Sequence, residues 1–223
     1  GTYTLFLDYF QGSTGTLNVT LSDVPADFQG SIAPGGSSVA VTTTAIGQDA
    51  NLTFSGTSGR RVALYIPGSS PGRAVSIRDP QGTTLASDIS GTDNYIDALL
   101  LPSTGTYTIF INYINNAVGT LTVTLYDVSA DIQGTTTLGA TVSPSLTSGQ
   151  VARYTFTATA GERLSLYGTN NTFSAVTLQV TDPVGSSVAS STTGTSTGFA
   201  EPVTLATSGT YTLTIDPNRY SGS

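Results

Sequence analysis

Four aspartates recur at matching places: Asp23 and Asp27 in Asp23-Val24-Pro25-Ala26-Asp27, Asp127 and Asp131 in Asp127-Val128-Ser129-Ala130-Asp131. Carboxylates so placed beside a turn can do two kinds of work. They can supply oxygens to Ca²⁺, a hard cation that takes an all-oxygen shell and can stiffen the junction between two domains. They can equally cap the turn by accepting backbone N–H groups. No cofactor is expected from these residues beyond a Ca²⁺ they could hold, and turn capping is the simpler reading. Asp93 and Asp97 form another acidic loop, but the corresponding stretch later in the chain is Ser/Thr/Gly-rich.

Catalysis has little to work with. The chain has no His and no Cys, and all seven basic residues are Arg. Ser-His-Asp, Cys-His and Ser-Lys arrangements are thus excluded, as are lysine isopeptide cross-links within the chain. Carboxylate pairs remain, yet Glu occurs only at Glu162 and Glu201, and Arg60 stands at the place matching Glu162. No catalytic residue is assigned, and the expectation is a protein that is not an enzyme. Asn18-Val19-Thr20, Asn51-Leu52-Thr53 and Asn170-Asn171-Thr172 fit the acceptor pattern for N-linked glycans, and residues 190–197 could carry O-linked ones.

The elements that must position these residues repeat. Gly1-Thr2-Tyr3-Thr4-Leu5 returns as Gly105-Thr106-Tyr107-Thr108-Ile109 and as Gly209-Thr210-Tyr211-Thr212-Leu213, a spacing of 104 residues each time. Gly15-Thr16-Leu17-Asn18-Val19-Thr20-Leu21 returns as Gly119-Thr120-Leu121-Thr122-Val123-Thr124-Leu125. Gly47-Gln48 matches Gly149-Gln150, and Asp79-Pro80-Gln81-Gly82 matches Asp182-Pro183-Val184-Gly185.

Apolar and hydroxyl residues alternate with period two through these segments, the mark of strands with one buried face. Ser and Thr supply 67 of 223 residues while charged residues make up 9%, so the outer faces must be mostly hydroxyl. Strands are expected over residues 48–55, 61–66, 75–78 and 83–86, with a hairpin-like loop at 56–59. In Asp79-Pro80-Gln81-Gly82, Pro presets one turn dihedral and Gly accepts a positive φ. No sustained helical period appears. The expected fold class is all-β: tandem antiparallel β-sandwich domains, immunoglobulin-like or jelly-roll, with seven or eight strands each. Tyr3, Phe6, Tyr107, Tyr154 and Tyr211 are read as core. Tyr9, Phe10 and Tyr113 near a hairpin end would serve packing between units or present a platform for sugars.

The phase of the chain against its repeat divides it unevenly. Residues 30–133 make one complete sandwich, and residues 134–223 a second that lacks its last strand. Residues 1–29 are the final two strands of a preceding unit, or a donor segment. An incomplete sandwich exposes an open edge and part of its core. Either the chain is a window on a longer continuous array, or Leu17, Val19 and Leu21 belong to a strand donated to the preceding copy. The linkers at 23–30 and 127–134 lack Gly/Ser slack and should be short and stiff.

The run Ala152-Arg153-Tyr154-Thr155-Phe156-Thr157-Ala158-Thr159-Ala160-Gly161-Glu162-Arg163-Leu164-Ser165-Leu166 is followed by Val176-Thr177-Leu178-Gln179-Val180-Thr181-Asp182 and Gly209-Thr210-Tyr211-Thr212-Leu213-Thr214-Ile215. In this pattern of strands and turns each unit resembles the bacterial pre-peptidase C-terminal domain and the related sandwich repeats of large secreted and surface proteins. That resemblance implies a jelly-roll-like sandwich, and an accessory module beside a secreted hydrolase in some members. The family's acidic calcium cluster is not reproduced; only Asp79 and Asp182 sit in a comparable place.

Two functions follow. One is a structural repeat of an extracellular fibre, pilus-like filament or surface stalk, whose partners are copies of itself or adjacent repeats. The other is an accessory module that binds polysaccharide or protein. A net charge of −7 without a basic cluster speaks against nucleic acid, and no segment has the roughly 20 apolar residues of a membrane helix. The scarcity of oxidisable side chains fits an extracellular or cell-surface location.

Overall fold

The computed structural model describes residues 1–8, 12, 14–89, 92–194 and 197–217, and within them the protein is all-β, with sixteen strands and no helix. Nine strands lie in the first part of the chain: β1 (Phe28–Ser31), β2 (Val39–Thr43), β3 (Ala50–Gly56), β4 (Arg61–Ile66), β5 (Arg73–Arg78), β6 (Thr84–Asp88), β7 (Asn94–Leu100), β8 (Gly105–Tyr113) and β9 (Gly119–Val128). They form two sheets, β1-β3-β8-β5-β6 and β2-β9-β4-β7. One contiguous core fills the space between, with Leu52, Ile77, Ile109 and Ile111 from one sheet against Val41, Leu64, Val123 and Leu125 from the other.

The second part repeats the plan with fewer strands: β10 (Ile132–Thr135), β11 (Ala152–Ala158), β12 (Arg163–Gly168), β13 (Val176–Thr181), β14 (Ser187–Thr193), β15 (Gly198–Thr204) and β16 (Gly209–Asp216). Its larger sheet, β10-β11-β16-β13-β14, matches that of the first part strand for strand, whereas its other sheet contains β12 and β15 alone. Among the described residues it has no counterpart of β2 or β9.

The Gly-Thr-Tyr-Thr motif has a structural purpose. Tyr107 and Tyr211 are fully buried, stack on Phe54 and Phe156, and donate from their hydroxyls to the carbonyls of Ser103 and Thr207 at 2.7 and 2.6 Å. The ring supplies apolar area, and the hydroxyl ties down the loop before its own strand. The preceding Gly is a close-approach position: a Cβ at Gly105 or Gly209 would lie 2.6 or 2.7 Å from Cγ of Pro80 or Pro183. Those prolines belong to the matching turns, in which Asp79 Oδ1 accepts from Gln81 and Thr83, and Asp182 Oδ1 accepts from Val184 and Ser186.

Three expectations need correction. The 56–59 loop is not a hairpin, because β3 and β4 lie in different sheets and the loop crosses between them, its Gly59 N–H donating to Leu101. The linker residues enter the sheets as β1 and β10, each parallel to the strand beside it, so the sandwiches are not purely antiparallel. Four-residue strands are too short for period-two alternation to announce them. Third, residues 1–8 and 14–27 form no strand. Tyr3 and Phe6, read as core, are 95% and 80% exposed, because the sheets they would join are not present around them. Tyr113, expected to serve packing between units or a sugar platform, is instead buried within its own sandwich, and its hydroxyl donates to the Val41 carbonyl. Tyr9 and Phe10 lie outside the described residues.

Candidate functional site

In the first sandwich β9 occupies the middle of the smaller sheet. It pairs with β2 on one side (Val41 opposite Leu121, Val39 opposite Val123) and with β4 on the other (Leu64 opposite Leu125, Val62 opposite Asp127). Leu121, Val123 and Leu125 point inward and are at most 2% exposed. Period two then sends Thr120, Thr122 and Thr124 outward.

Among the described residues no strand stands at that place in the second sandwich. Among the described residues β12, the counterpart of β4, pairs only with β15, so its other edge is open. Residues 141–146, where β2 would be matched, run as irregular chain. Between them lies an open groove of about 840 Å³, walled by Leu138, Val142, Leu146, Leu164, Leu166 and Leu213 among others. Its effect on packing is direct. The first sandwich has one core, while the second has two separate clusters, around Tyr211 and around Ile215, bridged by the half-buried Leu178 and Leu213. The groove is lined on one side by Leu164, Leu166 and Tyr167 of β12.

The spare strand is at the other end of the chain. Residues 15–21 repeat residues 119–125 of β9, yet Leu17, Val19 and Leu21 are 73%, 47% and 92% exposed. A segment with alternating apolar residues and an unsatisfied edge is a template for pairing. The expected assembly strand is thus unpaired in the single chain.

The aspartates sit where this segment meets the sandwich after it. Asp27 Oδ1 accepts from the Asp49 N–H at 3.1 Å, and Ala26 accepts from Gln48 Nε2 at 2.8 Å. The second junction repeats these contacts, with Asp131 Oδ1 accepting from Val151 N–H and Ala130 from Gln150 Nε2. Asp131 also binds two guanidinium groups, Arg61 of the sandwich before it at 2.7 Å and Arg153 of the sandwich after it. Burial pushes the Asp131 carboxyl up, but the hydrogen bonds from Arg61 and Arg153 outweigh it and hold the group below the usual carboxylate range. Asp127 pairs with Arg60 at 2.8 Å, and that hydrogen bond lowers it too. Asp23 is exposed, in the unpaired segment. Arginine therefore sits at the carboxylate oxygens of Asp127 and Asp131, a feature the sequence reading missed, since of Arg60, Arg61 and Arg153 only Arg61 recurs, as Arg163. Among the described residues no three potential metal ligands come together.

The remaining candidates scatter. Asn18 and Asn170 are exposed, the latter with φ 52° in a loop beside the groove, whereas Asn51 is half-buried on β3 opposite Phe110. Asp93 accepts from Gly68 N–H and the Tyr65 hydroxyl, and Asp97 from Ala98 N–H. Each smaller sheet also carries a cross-strand aromatic pair unnoticed in the sequence, Tyr65–Tyr95 and Tyr167–Phe199, both with centroids 6.5 Å apart.

No family model and no curated protein matches the sequence. Among solved structures the chain is similar to the pre-peptidase C-terminal domain of a collagenase from Bacillus anthracis, at 15% identity over 48% of this chain and 99% of that one, with a TM-score of 0.34. It is also similar to PliG, a periplasmic inhibitor of g-type lysozyme from Aeromonas hydrophila, at 16% identity over 44% and 98%, TM-score 0.33. A third likeness is to the M60 catalytic domain with its CBM51 domains from Clostridium perfringens ZmpB, at 8% identity over 83% of this chain and 33% of that one, TM-score 0.31. None of these likenesses assigns a function to this chain.

Proposed function

We propose that this chain is a non-enzymatic structural subunit of an extracellular fibre, in which residues 15–21 of one copy complete the second sandwich of the copy before it. One observation carries the reading: the second sandwich has a groove beside the open edge of β12 where the first has β9, and the segment that repeats β9 forms no strand at the opposite end of the chain. One empty slot and one spare strand at opposite ends make a heterologous contact that repeats head to tail. Insertion would bury Leu17, Val19 and Leu21, each contributing roughly 1.5–3 kcal/mol, and would give the open edge of β12 its backbone partners. Residues 1–8 match β16, whose place is already filled, so they receive no slot in this account.

The full chain should sediment as a concentration-dependent series of oligomers and appear as filaments in negative stain. Leu17→Asp with Val19→Asp should abolish both while leaving the first sandwich folded by circular dichroism. Filaments that persist in the double variant would rule out this strand as the joint.

A second reading, an accessory binding module of a secreted enzyme, is favoured by the aromatic pairs. Tyr167 and Phe199 are 68% and 52% exposed, and the same position holds Tyr65 and Tyr95 in the first sandwich. Neighbouring exposed rings can stack on sugars, so monomers retained by a polysaccharide, and released by Tyr167→Ala, would favour that reading.

A further inference from the structure

The internal junction shows how one sandwich receives the segment that leads into the next. β9 runs along β4 with Arg61 opposite Val128, and after three residues the chain enters β10. Around this passage Arg61 binds Asp131 and the Ser129 carbonyl, and Arg60 binds Asp127. The two arginines come from the start of β4, where the chain crosses from the other sheet.

The same place on the second sandwich is the start of β12, Glu162-Arg163. The backbone confirms the match: Leu101 donates to Arg60 as Leu205 donates to Glu162, and Arg60 donates to Thr57 as Glu162 donates to Thr159. So Arg163 stands where Arg61 stands, and Glu162 where Arg60 stands. Arg163 is exposed and unpaired among the described residues. On the incoming side Asp27 matches Asp131 and Asp23 matches Asp127.

Building on the strand-donation reading above, we infer that the joint between copies is keyed by an ion pair between Arg163 of the receiving copy and Asp27 of the incoming one, with Glu162 set against Asp23. The key fixes register. Val24 comes opposite Arg163, Leu21 opposite Leu166 and Thr20 opposite Tyr167, as Val128, Leu125 and Thr124 lie opposite Arg61, Leu64 and Tyr65. A slip of one residue would turn the apolar set outward and part the charges as well. Asn51 replaces Arg153 on the far side of Asp27. The joint between copies thus has one guanidinium on its central carboxylate instead of two, and a like-charge contact instead of the Arg60–Asp127 pair. That joint carries fewer favourable ion pairs than the internal one.

The test is a charge swap in the full chain, read as the concentration at which oligomers form in sedimentation velocity. Arg163→Asp and Asp27→Arg should each raise that concentration by about tenfold, and the chain carrying both should recover most of the loss. Glu162→Arg, which installs the pair seen inside the chain, should lower it by about threefold. Arg163→Gln, a milder change at an exposed position, should act in the same direction as Arg163→Asp. Oligomers that form but respond to none of these changes overturn the key and leave strand donation standing. A wild-type chain that stays monomeric at all concentrations overturns both.

Discussion

At the residue scale, the junction aspartates show how one residue type takes opposite roles from its surroundings. Asp131 is held below the usual range by two arginines, so its contribution to stability is present above the unfolded-state value and lost as pH falls through the folded one. Asp216 is the reverse case: burial pushes it up, Asp97 and Asp131 push the same way, and Arg153 opposes. Its charged form is disfavoured in the folded chain, so its penalty is full at neutral pH and is relieved as pH falls through its raised value. Asp131→Asn should therefore cost about 2 kcal/mol at neutral pH, with the cost fading in acid. Asp216→Asn should stabilise at neutral pH and become neutral in acid. Thermal melts of both variants from neutral to acidic pH check the signs, and parallel behaviour of the two would contradict this assignment. The four aspartates were conspicuous in the sequence because they repeat, but their partners were not. Arg153 meets Asp131 only because β10 runs parallel to β11, and a parallel pairing of four residues leaves no periodic trace.

At the element scale, the decisive comparison is β4 against β12. β12 alternates buried and exposed residues, whereas β4 buries Val62, Ala63 and Leu64 in succession; both pair with a following strand, yet among the described residues only β4 has a second neighbour. Ala63 on β4 is fully buried whereas Ser165 at the matching place is exposed. Backbone amides on an open edge exchange with solvent readily, and those within a sheet do so only on opening. Hydrogen exchange should find half of the β12 amides, those facing the slot, fast in the dilute monomer and protected by at least about tenfold after assembly. The β4 amides should be slow throughout. Equal protection of β12 in monomer and polymer would mean that the edge is not where copies meet. Sequence reading found most of the strands in this region because Thr and aliphatic residues alternate cleanly. It misjudged the 56–59 loop because a four-residue Gly-bounded connection looks alike whether it closes a hairpin or crosses between sheets.

At the scale of the whole molecule, the repeat of 104 residues disclosed the plan of two related sandwiches. The strand-donation reading takes its candidate strand, with Leu17, Val19 and Leu21, from the sequence alone. The two clusters into which the second core separates could not be read there, because they depend on which walls are in contact. The internal junction then supplies a template for the joint between copies, since Gln48 and Gln150 hold Ala26 and Ala130 in the same way. The chain contains no cysteine, which allows a clean chemical test of that template. A full chain carrying Thr20→Cys and Tyr167→Cys places the two thiols on facing strands only if residues 15–21 of one copy lie along β12 of another. Oxidation should then give a ladder of disulfide-linked multimers on a denaturing gel, collapsed by reductant, while the control pair Asn18→Cys and Tyr167→Cys gives little. Monomers alone, a disulfide closed within one chain, or an equal ladder from both pairs would contradict strand donation in this register.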